Sequence, residues 1–197
     1  MEHYFTSNED LKSELRVIKY DYESYNFIFY SDLGVFSKDH IDYGSKFLLE
    51  SFLCTDKSEN PKVLDMGCGY GYIGIVLSKV ITADVDMCDV NKRAIHLAER
   101  NIKENSVEAN VFESNIYENI NNKYDYIITN PPIRAGKQII LDILFGAKKH
   151  LNESGELWFV IRKDHGAKSI VKTLEKDYLC QIIAKSKGFY VIKAQIK

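Results

Sequence analysis

The sequence predicts an α/β fold in which a mostly parallel sheet ends in an antiparallel hairpin. Between residues 61 and 161, short β-rich apolar runs alternate with segments of helical periodicity, which is typical of a parallel sheet covered by helices on both faces. The last part of the chain departs from that rhythm. Tyr178–Ala184 and Phe189–Ile196 are two β-rich runs joined by Lys185-Ser186-Lys187-Gly188, a turn sequence. A chain of 197 residues suits one domain with a full hydrophobic core.

The first part of the chain is expected to form an extension in front of this sheet. Leu15–Ser31 is rich in Tyr, Phe, Val and Ile and predicts a β-hairpin. Apolar residues close to helical spacing then predict a helix over Asp39–Phe52. Because the polar loop at residues 56–60 is the one candidate seam, the chain divides into an N-terminal extension (1–60) and a core domain (61–197). The two parts are expected to form effectively one domain.

The core domain is expected to supply five strands before the final hairpin, which makes seven in all. These strands are Val63–Met66, Ala83–Cys88, Glu108–Glu113, Tyr124–Thr129 and Glu156–Ile161. Helices are predicted over Gly71–Lys79, over Lys92–Glu104 with Asn91 as its N-cap, and from about Lys137 to Leu151.

The composition is that of an ordinary globular protein, with 45% hydrophobic and 27% charged residues. Charges interrupt every apolar run before the roughly 18 residues that a membrane span needs, so no membrane partner is expected. The amino terminus lacks the basic start and apolar block of a secretory signal, which predicts a cytoplasmic location. A net charge of -2 argues against binding nucleic acid through bulk charge alone. Basic residues nevertheless predominate after residue 162, where they form either an anion-orienting surface or merely a solvated one.

The four cysteines, Cys54, Cys68, Cys88 and Cys180, stand singly in the sequence. Zinc sites and redox motifs require close cysteine pairs. We therefore expect packed, reduced thiols and no metal site.

The first motif that points to chemistry is a glycine turn. The strand ending in Asp65-Met66 runs into Gly67-Cys68-Gly69-Tyr70-Gly71 and then into a helix. Glycine on alternate positions lets the backbone approach a nucleotide-like ligand, since a larger side chain would obstruct the ligand or strain the backbone. Cys68 fits there as a small residue. The spacing is not the G-x-G-x-x-G of dinucleotide-binding folds, and the alternative is a turn whose glycines serve packing alone.

Acidic and polar residues follow the next two predicted strands. Asp89 stands at the tip of the second strand, where a carboxylate can accept hydrogen bonds from both hydroxyls of a ribose. Val90 or Asn91 would then lie near the attached base. Ser114 and Asn115 follow the third strand, where a further contact to the base is expected.

The second motif is Asn130-Pro131-Pro132-Ile133, which follows a buried strand and begins 59 residues after Gly71. Open α/β sheets hold their ligands at this end of their strands. Two consecutive proline rings restrict the loop and remove backbone donors, so that carbonyl oxygens are left to face a ligand. The alternative is a turn that merely ends a strand.

The two motifs together resemble the class I S-adenosylmethionine-dependent methyltransferases that modify amino nitrogens. The resemblance implies a seven-stranded Rossmann-like methyltransferase fold with S-adenosylmethionine as cofactor and no metal. It also implies that Asp65 orders the glycine loop and contacts the methionine end of the ligand, and that Asp89 binds the ribose. Many such enzymes carry Asp at the position of Asn115, hydrogen-bonded to the adenine amino group, and an amide oxygen can accept the same bond.

In such an enzyme the Asn130 side-chain oxygen and the Pro131 carbonyl would hold the two hydrogens of the target amino group. Its lone pair would then point at the methyl carbon, so that catalysis would consist mostly of alignment and electrostatics. The expected catalytic residues are thus Asn130, Pro131, Pro132 and Ile133. An aromatic residue usually stands at the position of Ile133, and its absence leaves the substrate class open.

A finer resemblance covers nearly the whole chain. Gly34-Val35-Phe36-Ser37, Asp42-Tyr43-Gly44-Ser45 and the Asn-Pro-Pro segment are similar to those of RsmC-type ribosomal RNA guanine-N2 methyltransferases. This implies that Phe36 lies over the cofactor and that Arg134 and Lys137 contact RNA phosphate. For Arg134 and Lys137, a solvated cation at the entry of a helix is nearly as good an explanation. The residues expected to bind the cofactor are Phe36, Asp65, Gly67, Cys68, Gly69, Gly71, Asp89, Val90, Asn91, Ser114, Asn115 and Asn130. RsmC-type enzymes commonly carry a second, degenerate domain that helps to bind RNA, and the resemblance here is expected to cover the catalytic domain alone.

The leading hypothesis is therefore methyl transfer to guanine N2 of RNA, with ribosomal RNA or an assembly particle as partner. Two alternatives remain, a protein glutamine-N5 methyltransferase, which carries Asn-Pro-Pro-Tyr, and a cofactor-binding scaffold without activity. A dehydrogenase is disfavoured by the glycine spacing and the final hairpin. The sequence does not indicate an oligomeric state.

Overall fold

The structure, a computed structural model, describes residues 13–197 and contains the predicted α/β sheet. Within this range the strands are β1 (Arg16–Tyr22), β2 (Tyr25–Ser31), β3 (Lys62–Met66), β4 (Asp84–Asp89), β5 (Asn110–Glu113), β6 (Tyr124–Thr129), β7 (Leu151–Arg162), β8 (Tyr178–Ser186) and β9 (Phe189–Ile196). The helices are α1 (Tyr43–Leu53), α2 (Tyr72–Val80), α3 (Lys92–Glu104), α4 (Lys137–Gly146) and α5 (Ala167–Leu174).

The main sheet has the strand order β5-β4-β3-β6-β7-β9-β8, while β1 and β2 form a separate two-stranded sheet. Strands β3 to β7 are parallel, and β9 runs antiparallel to both β7 and β8. From β3 the chain adds β4 and β5 toward one edge of the sheet, and from β6 onward it adds strands toward the other edge. Open α/β sheets bind ligands at such a switch point, which here lies between β3 and β6. Since Asp65 of β3 is paired with Ile128 of β6, the two sequence motifs lie side by side at this point.

Two hydrophobic layers cover the sheet. Neighbouring residues of one strand alternate between them, because successive side chains point to opposite faces. Thus Ile128 and Trp158 pack with α1, α2 and α3 on one face. Ile127 and Phe159 pack with α4 and α5 on the other. No helix in residues 13–197 is long and apolar enough to cross a membrane.

The N-terminal hairpin packs against α3 through two buried asparagines one helical turn apart. The Asn101 side chain accepts from the Tyr30 backbone N–H at 2.7 Å and donates to the Tyr30 carbonyl at 3.0 Å. The Asn105 side chain does the same for Ile28, at 3.0 Å and 2.8 Å. Because these amides satisfy the free edge of β2, that strand needs no further strand partner. Phe27 and Phe29 of β2 also belong to the hydrophobic layer formed by α1, α2 and α3.

Several element boundaries differ from the prediction. The first helix begins at Tyr43 rather than Asp39, because Asp42 is its N-cap and accepts from the Ser45 N–H. The predicted helix from Lys137 to Leu151 ends as α4 at Gly146 and is followed by a turn of 3₁₀ helix over Ala147–Lys149. Strand β7 then begins at Leu151, earlier than predicted.

Helix α5 was not predicted, because the surrounding lysines suggested only a charged surface. Its buried residues are Ala167, Ile170 and Leu174. Their spacing of three and four is the amphipathic signal that could have revealed the helix. The final hairpin is confirmed: β8 and β9 are joined by Lys187-Gly188, both with positive φ, as a two-residue type I′ turn requires.

Candidate active site

A cavity of about 620 Å³ opens at the carboxyl ends of the parallel strands. This volume lies within the range of small-molecule sites, roughly 300–1,000 Å³. Its walls come from the turns after β3, β4, β5, β6 and β7 and from the segment between β2 and α1. The site therefore joins the core domain to the N-terminal extension.

The glycine turn forms the floor between β3 and α2. The backbone N–H groups of Gly67 and Cys68 donate to the Cys88 carbonyl at 2.9 Å and 3.0 Å, which ties the turn to the end of β4. Gly67 and Gly69 have φ of +73° and +56°, in the left-handed region that favours glycine. A methyl group built on either residue would meet no atom within 4 Å, so the space above the turn is open to a ligand.

Asp65, at the end of β3, is buried. Its carboxylate accepts from the Gly74 N–H in α2 at 2.9 Å. Burial raises its pKa to about 7, and the nearby Asp89 carboxylate adds to this, whereas the Gly74 N–H opposes it. A single donor does not compensate for the loss of hydration. A positively charged ligand group in the cavity would therefore stabilise the ionised form of Asp65.

Asp89, at the end of β4, is held by backbone donors on both oxygens. One oxygen accepts from Gly69 and the other from Asn91, each at 2.9 Å. Burial raises the pKa of Asp89, while the backbone N–H groups of Asn91, Gly69 and Val90 lower it. The Val90 N–H also faces this carboxylate, so at least one lone-pair position stays available to a ligand. The Asn91 side chain, in contrast, caps α3 through Arg93 N–H and donates to the Gly34 carbonyl at 3.0 Å.

The turn after β5 brings Ser114 and Asn115 to the cavity. The Ser114 hydroxyl donates to the Ile116 carbonyl at 2.8 Å and accepts from the Asn119 N–H at 3.2 Å, which fixes the turn. Asn115 is exposed beside it. Phe36, from the segment before α1, forms part of the opposite wall and is 40% exposed.

The Asn-Pro-Pro loop lies against the N-terminus of α1. The Asn130 amide nitrogen donates to the Asp42 carboxylate at 3.0 Å and to the Ser45 hydroxyl at 2.9 Å. Within residues 13–197, neither the Asn130 side-chain oxygen nor the Pro131 carbonyl accepts a hydrogen bond. Pro132 leads into a turn of 3₁₀ helix, Ile133–Ala135. Two oxygen acceptors are thus available next to the cavity at the end of β6.

Nearly all residues named from the sequence come together in this cavity. Its lining includes Phe36, Asp65, Gly67, Cys68, Gly69, Asp89, Val90, Asn91, Ser114, Asn115, Asn130, Pro131, Pro132, Ile133 and Arg134. Gly71 and Lys137 are the two that it does not include. Gly71 is instead the N-cap of α2, with φ of +90° and Ala98 packed against it. The Lys137 ammonium reaches Ser169 in α5 at 3.3 Å.

Sequence reasoning did not assign Asp42, Ser45 or His165 to the site, yet all three line the cavity. His165 follows β7, and the general position of ligands at the carboxyl ends of parallel strands could have indicated it. Asp42 and Ser45 reach the site only through the packing of α1.

The electrostatic character of the cavity suits a cation. The carboxylates of Asp42, Asp65 and Asp89 line it, whereas Arg134 is the only arginine or lysine in the described lining and is exposed. Burial raises the pKa of the Cys68 thiol well above its ordinary value, and both nearby carboxylates add to this. The thiol therefore stays protonated, which does not suit a nucleophile. The four cysteines are free; Cys68 and Cys88 are packed as expected, whereas Cys54 is exposed. In residues 13–197 no three His, Cys, Asp or Glu side chains form a group that could hold a metal ion.

This sheet, with its antiparallel hairpin and a cavity between a glycine turn and an Asn-Pro-Pro loop, defines a class I S-adenosylmethionine-dependent methyltransferase. The sequence-based identification is therefore confirmed. The family profile described as methyltransferase small domain matches residues 26–193, and the chain belongs to that family.

Two relatives illustrate what the chain is similar to. The uncharacterized protein YbxB of Bacillus subtilis is 38% identical, and the match covers 98% of each chain. Ribosomal RNA small subunit methyltransferase C of Haemophilus influenzae is 33% identical over 84% of this chain and 50% of its own length. The chain thus spans about half the length of that relative.

Among solved structures, the Thermus thermophilus 16S rRNA N2 G1207 methyltransferase (RsmC), in complex with AdoMet and guanosine, superposes with a TM-score of 0.84. It is 23% identical, and the match covers 95% of this chain and 52% of that one. A ribosomal protein L11 methylase from Lactobacillus delbrueckii has a TM-score of 0.65 at 22% identity. Both likenesses confirm the fold.

Proposed function

We propose that this protein transfers a methyl group from S-adenosylmethionine to an exocyclic amino nitrogen, that of guanine N2 in ribosomal RNA. The observation that carries the proposal is the pair of unpartnered acceptors, the Asn130 side-chain oxygen and the Pro131 carbonyl, beside a cavity lined by carboxylates. S-adenosylmethionine supplies an activated methyl group on a positively charged sulfur, together with an ammonium group.

The residues around the glycine turn fit this cofactor. Asp89 lies at the end of β4 with its carboxylate fixed by backbone N–H groups, and it keeps acceptor capacity for a ribose hydroxyl. Asp65 is buried, and its carboxylate accepts a single hydrogen bond, from the Gly74 N–H. It therefore suits the ammonium group of the cofactor. Ser114, Asn115, Val90 and Phe36 remain for the adenine.

The Asn-Pro-Pro loop would act by alignment. An exocyclic amino group conjugated to a ring has a delocalised lone pair and two hydrogens. Asn130 Oδ1 and the Pro131 carbonyl would each accept a hydrogen bond from one of these two hydrogens. The two hydrogen bonds would localise the lone pair on the nitrogen and direct it into the cavity. Positioning and fixed dipoles of this kind can supply several kcal/mol of barrier reduction. The two proline rings stiffen the loop, since each fixes its own φ.

The choice of guanine in ribosomal RNA is supported by the relatives. The Haemophilus influenzae protein is a small subunit ribosomal RNA methyltransferase, and the Thermus thermophilus enzyme acts on N2 of a guanine. Arg134 is exposed at the rim of the cavity and could contact phosphate, and Lys137 is exposed at the start of α4. A guanine in paired RNA would have to be flipped out to reach the cavity. The proposed substrate implies a cytoplasmic enzyme that acts on ribosomal RNA or an assembly particle.

The experiment compares ribosomal RNA nucleosides by mass spectrometry in strains with and without the protein. Loss of N2-methylguanosine at one site, restored by the wild-type chain but not by Asn130→Ala, is the expected result. Purified Asn130→Ala should still bind S-adenosylmethionine with nearly unchanged affinity. Unchanged RNA together with an undermethylated glutamine in a protein would instead favour the glutamine-N5 reaction. If no methylated product depends on the protein, the chain is a cofactor-binding scaffold and the proposal fails.

A further inference from the structure

Asn130 is held by a pair of acceptors that lie 85 and 88 residues earlier in the chain. Its side-chain nitrogen has two hydrogens. One is donated to Asp42 Oδ2 at 3.0 Å and the other to Ser45 Oγ at 2.9 Å. Both donors of the amide are therefore used inside the protein, and only its oxygen remains for the cavity.

We propose that Asp42 and Ser45 are positioning residues that fix the Asn130 amide with its oxygen toward the substrate. The inference rests on the proposed function, since it assigns the cause of the orientation that catalysis needs. An ionised carboxylate can only accept hydrogen bonds. If the amide were reversed, its oxygen would face Asp42 Oδ2 at about hydrogen-bond distance without a shared hydrogen, which is unfavourable.

Asp42 is itself held rigidly. The same oxygen, Oδ2, accepts from the Ser45 backbone N–H at 2.8 Å and so caps α1. Helix α1 is anchored in the core by Leu48, Leu49 and Phe52, which are fully buried. The helix thus carries a fixed acceptor to the end of β6.

Gly44 keeps this arrangement sterically possible. A methyl group on Gly44 would lie 3.0 Å from Asp42 Oδ2 and 3.1 Å from Phe189 Cε1. Any larger residue would push the carboxylate away from Asn130. The segment Asp42-Tyr43-Gly44-Ser45 therefore holds the Asn130 side chain in place. From the sequence alone, it indicated only a resemblance to a family.

The two acceptors can be removed without removing the helix. Asp42→Gly deletes the carboxylate, while glycine remains an acceptable N-cap that costs only a few tenths of a kcal/mol relative to Asp. Asp42→Asn keeps an oxygen that can replace Oδ2 but removes the charge. Ser45→Ala deletes the second acceptor and places a strong helix former in the first turn. Asp177→Asn, an exposed carboxylate paired with Lys148 far from the cavity, is the matched control.

The first readout is methyl transfer to RNA isolated from the strain that lacks the protein. Asp42→Gly should lower kcat about 10- to 100-fold, since misalignment of a reacting group has costs of that order. Ser45→Ala should lower it less, and Asp42→Asn should restore most of the loss. The melting temperature should be nearly unchanged in all three, and Ser45→Ala, which keeps the carboxylates of the cavity, should also keep its affinity for S-adenosylmethionine.

The second readout is independent of activity. The side-chain ¹H–¹⁵N resonances of Asn130, identified by their loss in Asn130→Asp, should exchange slowly with solvent in the wild type and rapidly in Asp42→Gly combined with Ser45→Ala. Slow exchange without any methylated RNA would retain the positioning and refute the proposed function. Inactive Asn130→Ala with full activity in Asp42→Gly and Ser45→Ala would retain the function and refute the positioning. An Asp42→Asn variant as impaired as Asp42→Gly would also refute it, because charge rather than a hydrogen bond would then be responsible.

Discussion

The raised pKa of Asp65 predicts that cofactor affinity depends on pH near neutrality. The Asp65 carboxyl has a pKa of about 7 in the free protein, against 3.8 for the unperturbed group, and burial is the main cause. If the ionised form faces the ammonium group of S-adenosylmethionine, binding must release the proton wherever Asp65 is still protonated. Affinity should therefore rise as the pH passes upward through about 7 and level off above it.

The magnitude follows from the fraction of ionised Asp65. About half of the free protein carries the proton at pH 7, and about nine tenths at pH 6. The apparent Kd should therefore be about tenfold weaker at pH 6 than at pH 8. Near pH 7, binding should release about half a proton from this group. Asp89 shifts in the same direction, so the effect of Asp65 must be separated from that of its neighbour.

Isothermal titration calorimetry in two buffers of different ionisation enthalpy counts the released protons directly. Asp65→Asn is the control, since it removes this titration but keeps Asp89 and the amino group of the ligand. The variant should bind more weakly at pH 8 and show a flatter pH profile. Identical pH profiles in the two proteins would refute the view that Asp65 ionises when the ligand binds.

Three further predictions concern single positions. Asp89→Ala should weaken S-adenosylmethionine binding by about 2 kcal/mol, since it removes a charged hydrogen-bond acceptor. An unchanged Kd in calorimetry would exclude the ribose contact. Asn101→Ala should lower the free energy of unfolding, measured in urea, by about 2–4 kcal/mol, because it leaves the Tyr30 N–H and carbonyl without partners. A decrease in this free energy below about 1 kcal/mol would mean that water replaces the amide. Gly74→Ala should cost about 1–3 kcal/mol, because its methyl would lie 2.4 Å from the Met87 sulfur in a filled core; an unchanged urea midpoint would show that Met87 moves freely.

The features that the sequence predicted correctly are local ones. The glycine turn, Asp89 and the Asn-Pro-Pro segment each follow an apolar strand, and the parallel alternation brings the ends of those strands together without further information. The final hairpin could also be predicted from a local pattern, since Lys187-Gly188 is a turn sequence between two β-rich runs.

The features that sequence reasoning missed depend on tertiary packing. The contact between Asp42 and Asn130 requires α1 to be placed against β6, and no local pattern indicates that placement. From the sequence, Asn101 and Asn105 look like ordinary polar residues of a helix. Their role depends on β2, whose backbone they bind. Helix α5 has apolar residues at helical spacing, but they are few and lysines surround them, so the pattern is weak.

The docking of the hairpin has a consequence for synthesis of the chain on the ribosome. The acceptor and donor groups of Tyr30 and Ile28 find their partners 71 and 77 residues later. At roughly 5–20 residues per second, β2 emerges about 4–15 s before α3 can follow it. During that interval an apolar strand with an unpaired edge is exposed, which is the form most prone to intermolecular pairing. Slowed translation during that interval should therefore lower the soluble yield of this protein, whereas slowing after α3 has emerged should not.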